Sequence, residues 1–354
     1  MKRSDFVSLN PLRLCGRSFG RRTIAVVCAL AILLSAPVYS VLAQNAGDPD
    51  RVGVAELDPK AEQAIDAALR FLAKKQGQDG SWGGQYKCAN TAVALMAFML
   101  KGHFPERGEY GELLNKGVGY LLSQAKAGEG YMGVNMYEHG LGTLALSEAW
   151  GMSTRKEIRD ALKKAVDVIL RSQATSGGWR YQPMPIDADV SVTVMQIVAL
   201  SSAKEAGIYV PDKTITKAIA YVKSLQTPEG GFGYMGASSP GFARSAAGVM
   251  SLLMCGEGKS KAVQKGLQYL NTLPKSVFKN EQYFFYGHYY AIQAMYQAGE
   301  GNYQKWYPQI RDALIQKQGK DGAWNGGEGG TEFTTAVGVL ILGVPYRYLP
   351  IYQR

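Results

Sequence analysis

Histidine is nearly missing from this chain: His103, His139 and His288 are the only three in 354 residues. Cysteine is as scarce, with four, and no Cys-x-x-Cys pair occurs. Together these shortages argue against a structural zinc site, which draws its ligands from such clusters. No run of Lys and Arg forms the basic stripe that a nucleic-acid partner requires. Walker loops, dinucleotide-binding glycine fingerprints and nucleophile elbows are also missing. The sequence therefore points to no metal, no cofactor and no nucleic acid.

What is present begins with a leader. Arg13, Arg17, Arg21 and Arg22 precede an apolar run from Thr23 to Ala36, and Val41-Leu42-Ala43-Gln44 offers a signal-peptidase site. The run is shorter than the roughly 20 residues that a membrane-spanning helix needs. Residues 1–43 are read as a cleaved export signal, with a retained anchor as the alternative and with Sec and twin-arginine export both open. Residues 44–56 form a linker, and 57–354 a single domain. The formal net charge is +10, but the leader holds six basic residues and one acid, leaving +5. The basic balance is mostly targeting. The expected location is periplasmic or secreted after cleavage near Ala43.

Internal repeats then decide the fold. Gln76-Gly-Gln-Asp-Gly80-Ser-Trp82 returns as Gln173-Ala-Thr-Ser-Gly177-Gly-Trp179, as Gln226-Thr-Pro-Glu-Gly230-Gly-Phe232 and as Gln318-Gly-Lys-Asp-Gly322-Ala-Trp324. A weaker copy runs from Gln124 to Gly130-Tyr131, and a degenerate unit around Lys265-Gly266 fills the last gap. Six units result. In each, an amphipathic helix such as that carrying Ala64, Ala68, Phe71 and Leu72 precedes the turn, and a more uniformly apolar helix follows it. A helix apolar on all sides is buried, so each unit gives one outer and one inner helix. The expected fold is all-α, an (α/α)6 toroid. Its turn residues Gln76, Trp82, Gln124, Tyr131, Gln173, Trp179, Gln226, Phe232, Gln318 and Trp324 are structural. Outside the leader, which holds Cys15 and Cys28, only Cys88 and Cys255 remain. They fall in opposed repeats, too far apart for a disulfide, which permits about 7 Å between Cα atoms.

The Gln…Gly-x-Trp element, preceded by Lys or Arg, Gly and an aromatic, resembles the repeat of squalene–hopene and oxidosqualene cyclases, whose toroid protein prenyltransferase β subunits share. The resemblance covers about residues 57 to 345. Met136-Tyr137-Glu138-His139-Gly140-Leu-Gly-Thr-Leu-Ala-Leu-Ser-Glu-Ala is similar to secreted bacterial proteins of this repeat type, to which the resemblance attaches no reaction. The family implies an Asp-x-Asp-Asp-Thr-Ala acid for cyclisation. Asp189 matches its first Asp, but Ser191 and Val192 stand where the others belong; a register through Asp187 and Asp189 also loses one acid. Asp189 equally suits a helix N-cap. The family's zinc site implies Asp, Cys and His. His288 in Tyr286-Gly-His288-Tyr289-Tyr290 looks like the His, whereas Pro240-Gly-Phe-Ala-Arg244-Ser245 offers neither of the others.

Aligning the repeats brings the pairs Asn90-Thr91, Glu138-His139, Val192-Thr193, Arg244-Ser245, Gly287-His288 and Glu332-Phe333 into one layer at the inner-helix starts. Acids favour that end of a helix and cations do not. Arg244 therefore answers either an acid (Glu138, Glu332 or Asp189) or a bound anion. Aromatics cluster nearby: Tyr86, Tyr137, Tyr181, Phe242, Tyr286, Tyr289 and Phe333. The candidate ligand cavity comprises Tyr86, Asn90, Asp187, Asp189, Phe242, Arg244, Tyr286, His288, Tyr289, Glu332 and Phe333. The candidate catalytic groups are Arg244, His139, Tyr137, Glu138 and Asp189.

Two functions remain open at this stage. The first is an exported toroid that binds an isoprenoid-like, small hydrophobic or carbohydrate ligand, with peripheral membrane association as a further option and without triterpene cyclase or protein prenyltransferase activity. The second is an exported enzyme, either a non-standard isoprenoid-processing enzyme or a polysaccharide lyase. A lyase needs a base and a cation beside a carboxylate, parts that Tyr137, His139 and Arg244 supply.

Overall fold

The computed structural model describes residues 58–279, 281–346 and 349. The leader and the linker expected over residues 1–56 lie outside the described residues.

Twelve α-helices alternate between two layers among the described residues. The outer ones are α1 (Pro59–Ala73), α3 (Gly111–Ala127), α5 (Glu157–Arg171), α7 (Asp212–Ser224), α9 (Lys261–Thr272) and α11 (Glu300–Lys317). The inner ones are α2 (Lys87–Leu100), α4 (Met136–Trp150), α6 (Val190–Glu205), α8 (Phe242–Met254), α10 (Phe284–Gln297) and α12 (Thr331–Leu342). Sequence pattern separates the two sets. In α5, Ile158, Leu162, Ala165, Val166 and Ile169 form a buried stripe, while Arg159, Asp160 and Lys163 face solvent. In α2 every residue from Cys88 to Leu100 is buried. A helix without a polar face has no side to offer water. The inner helices pack each on the next, and α12 packs back on α2. The fold is a closed α/α toroid.

The recurrent turn shows how the ring is held. The indole Nε1 of Trp82, Trp179 and Trp324 donates to the carbonyl ten residues earlier, on Leu72, Ile169 and Leu314, at 2.7–2.8 Å. The backbone N–H of the same ring residue donates to a hydroxyl at the start of the next inner helix: Thr91, Thr193, Ser245 (for Phe232) and Thr335. The Nε2 of Gln76, Gln173, Gln226 and Gln318 donates both to its own turn and to a carbonyl near the start of the neighbouring outer helix. Glycine is required beside it. Gly80 has φ +83°, and a Cβ there would stand 2.5 Å from the Lys116 carbonyl oxygen of α3. Each turn thus ties three helices.

Two readings of the repeats change. In the second repeat the buried position is Met132, not Tyr131: its backbone N–H donates to His139 Nδ1 at 3.2 Å, replacing the hydroxyl bond. Gln124 makes none of the bridging bonds of its counterparts among the described residues. In the sixth repeat the equivalent of Thr91 is Thr335, so Glu332-Phe333 sits two residues too early for the layer. The glycine-rich stretch before α12, which has no counterpart of that length before α2, hides the offset in the sequence.

Candidate functional site

All six inner helices begin at the same end of the ring, and there the described residues enclose a cavity of about 1050 Å³. Its walls come from the first turns of α2, α4, α6, α8, α10 and α12 and from the loops before them. Tyrosine and phenylalanine dominate: Tyr86, Tyr137, Tyr181, Tyr234, Tyr283, Tyr286, Phe242, Phe284, Phe285 and Phe333. Rings carrying hydroxyls present apolar faces and polar edges together. Tyr137 OH and Tyr290 OH are 3.5 Å apart at the floor, and Tyr181 OH and Tyr234 OH are 3.4 Å apart nearer the mouth. Burial pushes the Tyr137 hydroxyl up to about 12, and raises those of Tyr286 and Tyr290 well above the ordinary phenol value. They stay protonated donors.

Of the residues expected from sequence, Tyr86, Tyr137, Glu138, Phe242, Arg244, Tyr286 and Phe333 border the cavity. The others do not, and each has a local reason. Asp189 Oδ1 accepts the N–H groups of Ser191 and Val192, at 2.8 and 3.0 Å, and the Ser191 hydroxyl, so this carboxylate is the N-cap of α6. Arg180 Nε lies 3.8 Å from its other oxygen. Asp187 pairs with Arg180 at 2.6 Å on the outer surface. Asn90 is fully buried and donates to the carbonyls of Gln85 and Tyr86, shaping the loop behind Tyr86. Tyr289 is buried against Tyr290, and Glu332 sits in the first turn of α12 outside the cavity wall.

The two histidines are corrected most clearly. His139 and His288 are fully buried, and neither meets the cavity. His139 Nδ1 accepts from Met132, so Nε2 carries the proton and donates to Ala165 O at 3.0 Å. His288 Nε2 lies 2.9 Å from Val277 O. Burial lowers His139 to about 4 and His288 to about 3. Both occupy the layer that Thr91 and Thr193 occupy elsewhere; His139 accepts a turn N–H as those threonines do, whereas His288 is tied through Nε2 to a carbonyl. His139 is therefore a packing residue and no general base, and His288 is not presented to a ligand or metal.

Glu138 borders the cavity but its carboxylate is committed. Oε2 accepts the N–H groups of Cys88 and Ala89 at the start of α2, at 3.1 and 3.3 Å, and Oε1 accepts Val134 N–H at 3.1 Å. It caps the neighbouring inner helix, where the dipole favours an anion. Arg244 is the reverse case. It borders the cavity with no ion pair or hydrogen bond to any described residue, which removes Glu138, Glu332 and Asp189 as its partners.

Several wall residues were not singled out by sequence: Tyr234, Glu281, Gln282, Tyr283, Phe284, Phe285 and Glu328. A positional signal existed for some of them. Tyr283 immediately precedes α10 as Tyr86 precedes α2, and both hold a left-handed φ, +60° and +54°. That conformation is costly for a bulky residue and turns each ring toward the mouth. Glu328 lies on the glycine loop before α12, where burial raises its carboxyl above the ordinary range.

No family model matches this sequence. A lanosterol synthase of Aspergillus fumigatus is 26% identical over 126 residues, which are 33% of this chain and 17% of that enzyme. The chain thus spans a small part of that relative. Among solved structures, an inactive variant of an alpha-1,6-mannanase from a Salegentibacter species, in complex with alpha-1,6-mannotriose, matches with TM-score 0.63 at 10% identity, over 81% of this chain and 99% of that one. A type II terpene cyclase variant from Scytonema, in complex with geranylgeranyl dihydroxybenzoate, matches with TM-score 0.57 at 13% identity, over 82% and 99%. Identities this low show the fold alone. The protein is an α/α toroid, an architecture shared with a mannanase and a terpene cyclase.

Proposed function

We propose that this protein is an exported toroid that binds an isoprenoid-like or carbohydrate ligand in the mouth cavity, without triterpene cyclase or protein prenyltransferase activity. The observation that carries this reading is the open cavity of about 1050 Å³ walled by tyrosine and phenylalanine. Such concave, mostly aromatic sites with a few polar groups are where small ligands bind. The mannanase and terpene cyclase neighbours, in complexes with a mannotriose and a geranylgeranyl compound, support both ligand classes. Asp189 as a helix cap and His288 as a brace support the lack of cyclase acid and zinc ligand.

The mouth supports peripheral membrane association as part of the same reading. Val134 and Ile186, on the loops before α4 and α6, are 70% and 72% exposed, and Met184 and Met235, on the loops before α6 and α8, are exposed too. Isolated apolar side chains are ordinary on a surface, but a group beside a cavity marks an interaction site.

The test is calorimetric titration with mannotriose and with geranylgeraniol, alongside native mass spectrometry of protein purified from its own host. Binding of either, weakened in Tyr283→Ala, is expected. A protein that co-purifies with nothing and binds neither would end this reading. N-terminal sequencing of the exported form is expected to begin at Gln44; an intact leader would remove the localisation.

A second reading, an exported enzyme acting on such a ligand, rests on Glu328. A cavity-wall carboxyl whose affinity for its proton is raised by partial desolvation suits general acid catalysis. Turnover of a glycan or an isoprenoid that vanishes in Glu328→Gln would favour it.

A further inference from the structure

We infer that the ligand of this cavity carries an oxyanion, a carboxylate or a phosphate, and that Arg244 binds it. The inference rests on the cavity being the ligand site.

Among the described residues, Arg244 is the single basic one on the cavity wall. Each acid that could have neutralised it is engaged or apart. Glu138 is held by three backbone N–H groups, Asp189 caps α6 beside Arg180, and Glu281 and Glu328 form no ion pair with it. A guanidinium is stable without a partner only where water reaches it, and Arg244 is half-buried. It also stands in the first turn of α8, where the helix dipole disfavours a cation. Folding alone gives no reason for it there.

The surroundings keep room for a guest. Gly241 has φ −144°, extended backbone open to any residue. A Cβ at that position would nevertheless lie 2.9 Å from Arg244 Nη2. The guanidinium thus packs directly over this glycine, and a larger residue would make it shift. The starts of α2, α4 and α6 are capped by Glu138, Asn135 and Asp189, whereas α8, like α10 and α12, has no side-chain cap. An oxyanion docked here would satisfy the forked donors of Arg244 and complement the same helix end. The aromatic wall then takes the body of the ligand. Two ligand types share that chemistry: a glycan containing a uronic acid and an isoprenoid phosphate.

Calorimetric titration with matched charged and neutral probes separates them. The pairs are trigalacturonate against mannotriose, and geranylgeranyl monophosphate against geranylgeraniol. One charged probe is expected to bind about ten- to a hundredfold more tightly than its neutral partner, the range for a charge-assisted hydrogen bond. That preference should collapse in Arg244→Gln and return in part in Arg244→Lys, which keeps the charge and loses the fork. Circular dichroism confirms that both variants fold. Preference for trigalacturonate names the uronic acid, and preference for the phosphate names the isoprenoid. Equal binding of charged and neutral probes, or a preference that survives Arg244→Gln, overturns the inference while leaving the cavity as a ligand site. Binding of no probe overturns both.

Discussion

The side-chain amide of Gln318 donates to the backbone carbonyl of Ala64 at 2.8 Å, joining residues 254 positions apart. Beside it, Gly322 lies so close to α1 that a Cβ would stand 2.5 Å from Ala67 O. Between the third and fourth repeats the same two contacts run from Gln173 to Thr214 O and from Gly177 to Lys217 O. The seam that closes the ring is therefore built like an interior joint. A solenoid would have left this surface of α1 in water.

That equivalence has a measurable consequence. Gln318→Ala and Gln173→Ala each remove two side-chain hydrogen bonds and should destabilise by about 1–3 kcal/mol, by similar amounts. Urea denaturation of the two variants checks this. A Gln318 variant as stable as wild type would mean the seam is not a structural joint.

Trp179 is fully buried and hydrogen-bonded through its indole to Ile169. Trp179→Ala should cost about 3–5 kcal/mol, and Trp82→Ala and Trp324→Ala should do the same. An unchanged melting temperature with lost ligand binding would instead place the ring in the site.

His139 and His288 make stability depend on pH. Both are depressed in the fold, to about 4 and about 3, so the unfolded chain binds their protons first. Their contribution is complete above the unfolded value of about 6.5 and is lost as pH falls toward 4. Within that window each histidine contributes a slope of at most about 1.4 kcal/mol per pH unit. Denaturant midpoints measured between pH 7.5 and 5 should fall, and His139→Gln should flatten the decline. A midpoint independent of pH over that range would contradict the buried neutral assignment.

Glu138→Ala removes the acceptor for Cys88, Ala89 and Val134 N–H. A loss of about 2–4 kcal/mol is expected, since buried donors are stranded at a helix start. Hydrogen exchange at Cys88 and Ala89 should quicken. Unchanged exchange at those two amides would show that the carboxylate is dispensable.

Cys88 and Cys255 are unbonded, and burial pushes the Cys88 thiol up to about 12. Protein lacking residues 1–43, which hold Cys15 and Cys28, should titrate two thiols when denatured without reductant; native protein should react slowly at Cys88. Finding no thiol in the denatured sample would contradict the separation of these residues in the ring.

Sequence by itself determined the toroid. Five copies of one turn and a degenerate sixth unit, each between a striped helix and a more uniformly apolar one, admit a two-layer ring because an apolar helix must be enclosed and glycine must sit where Gly80 and Gly322 meet a neighbouring backbone. It also located the cavity end, through Tyr86, Phe242 and Arg244 at inner-helix starts. Tertiary structure alone decided what those residues do. Glu138 and His139 are adjacent in sequence and share a first turn, yet one side chain reaches the amides of α2 and the other the carbonyl of Ala165 on α5. Their partners lie 50 and 26 residues away, set by how neighbouring repeats are rotated against one another. Glu328 came into the wall for the same reason, because the glycine loop before α12 follows no repeat, whereas Tyr283 repeats the place of Tyr86. Side-chain chemistry and period are local and can be read along a chain; whether a charged group is already paired depends on contacts between repeats, and only closing the ring brings those together.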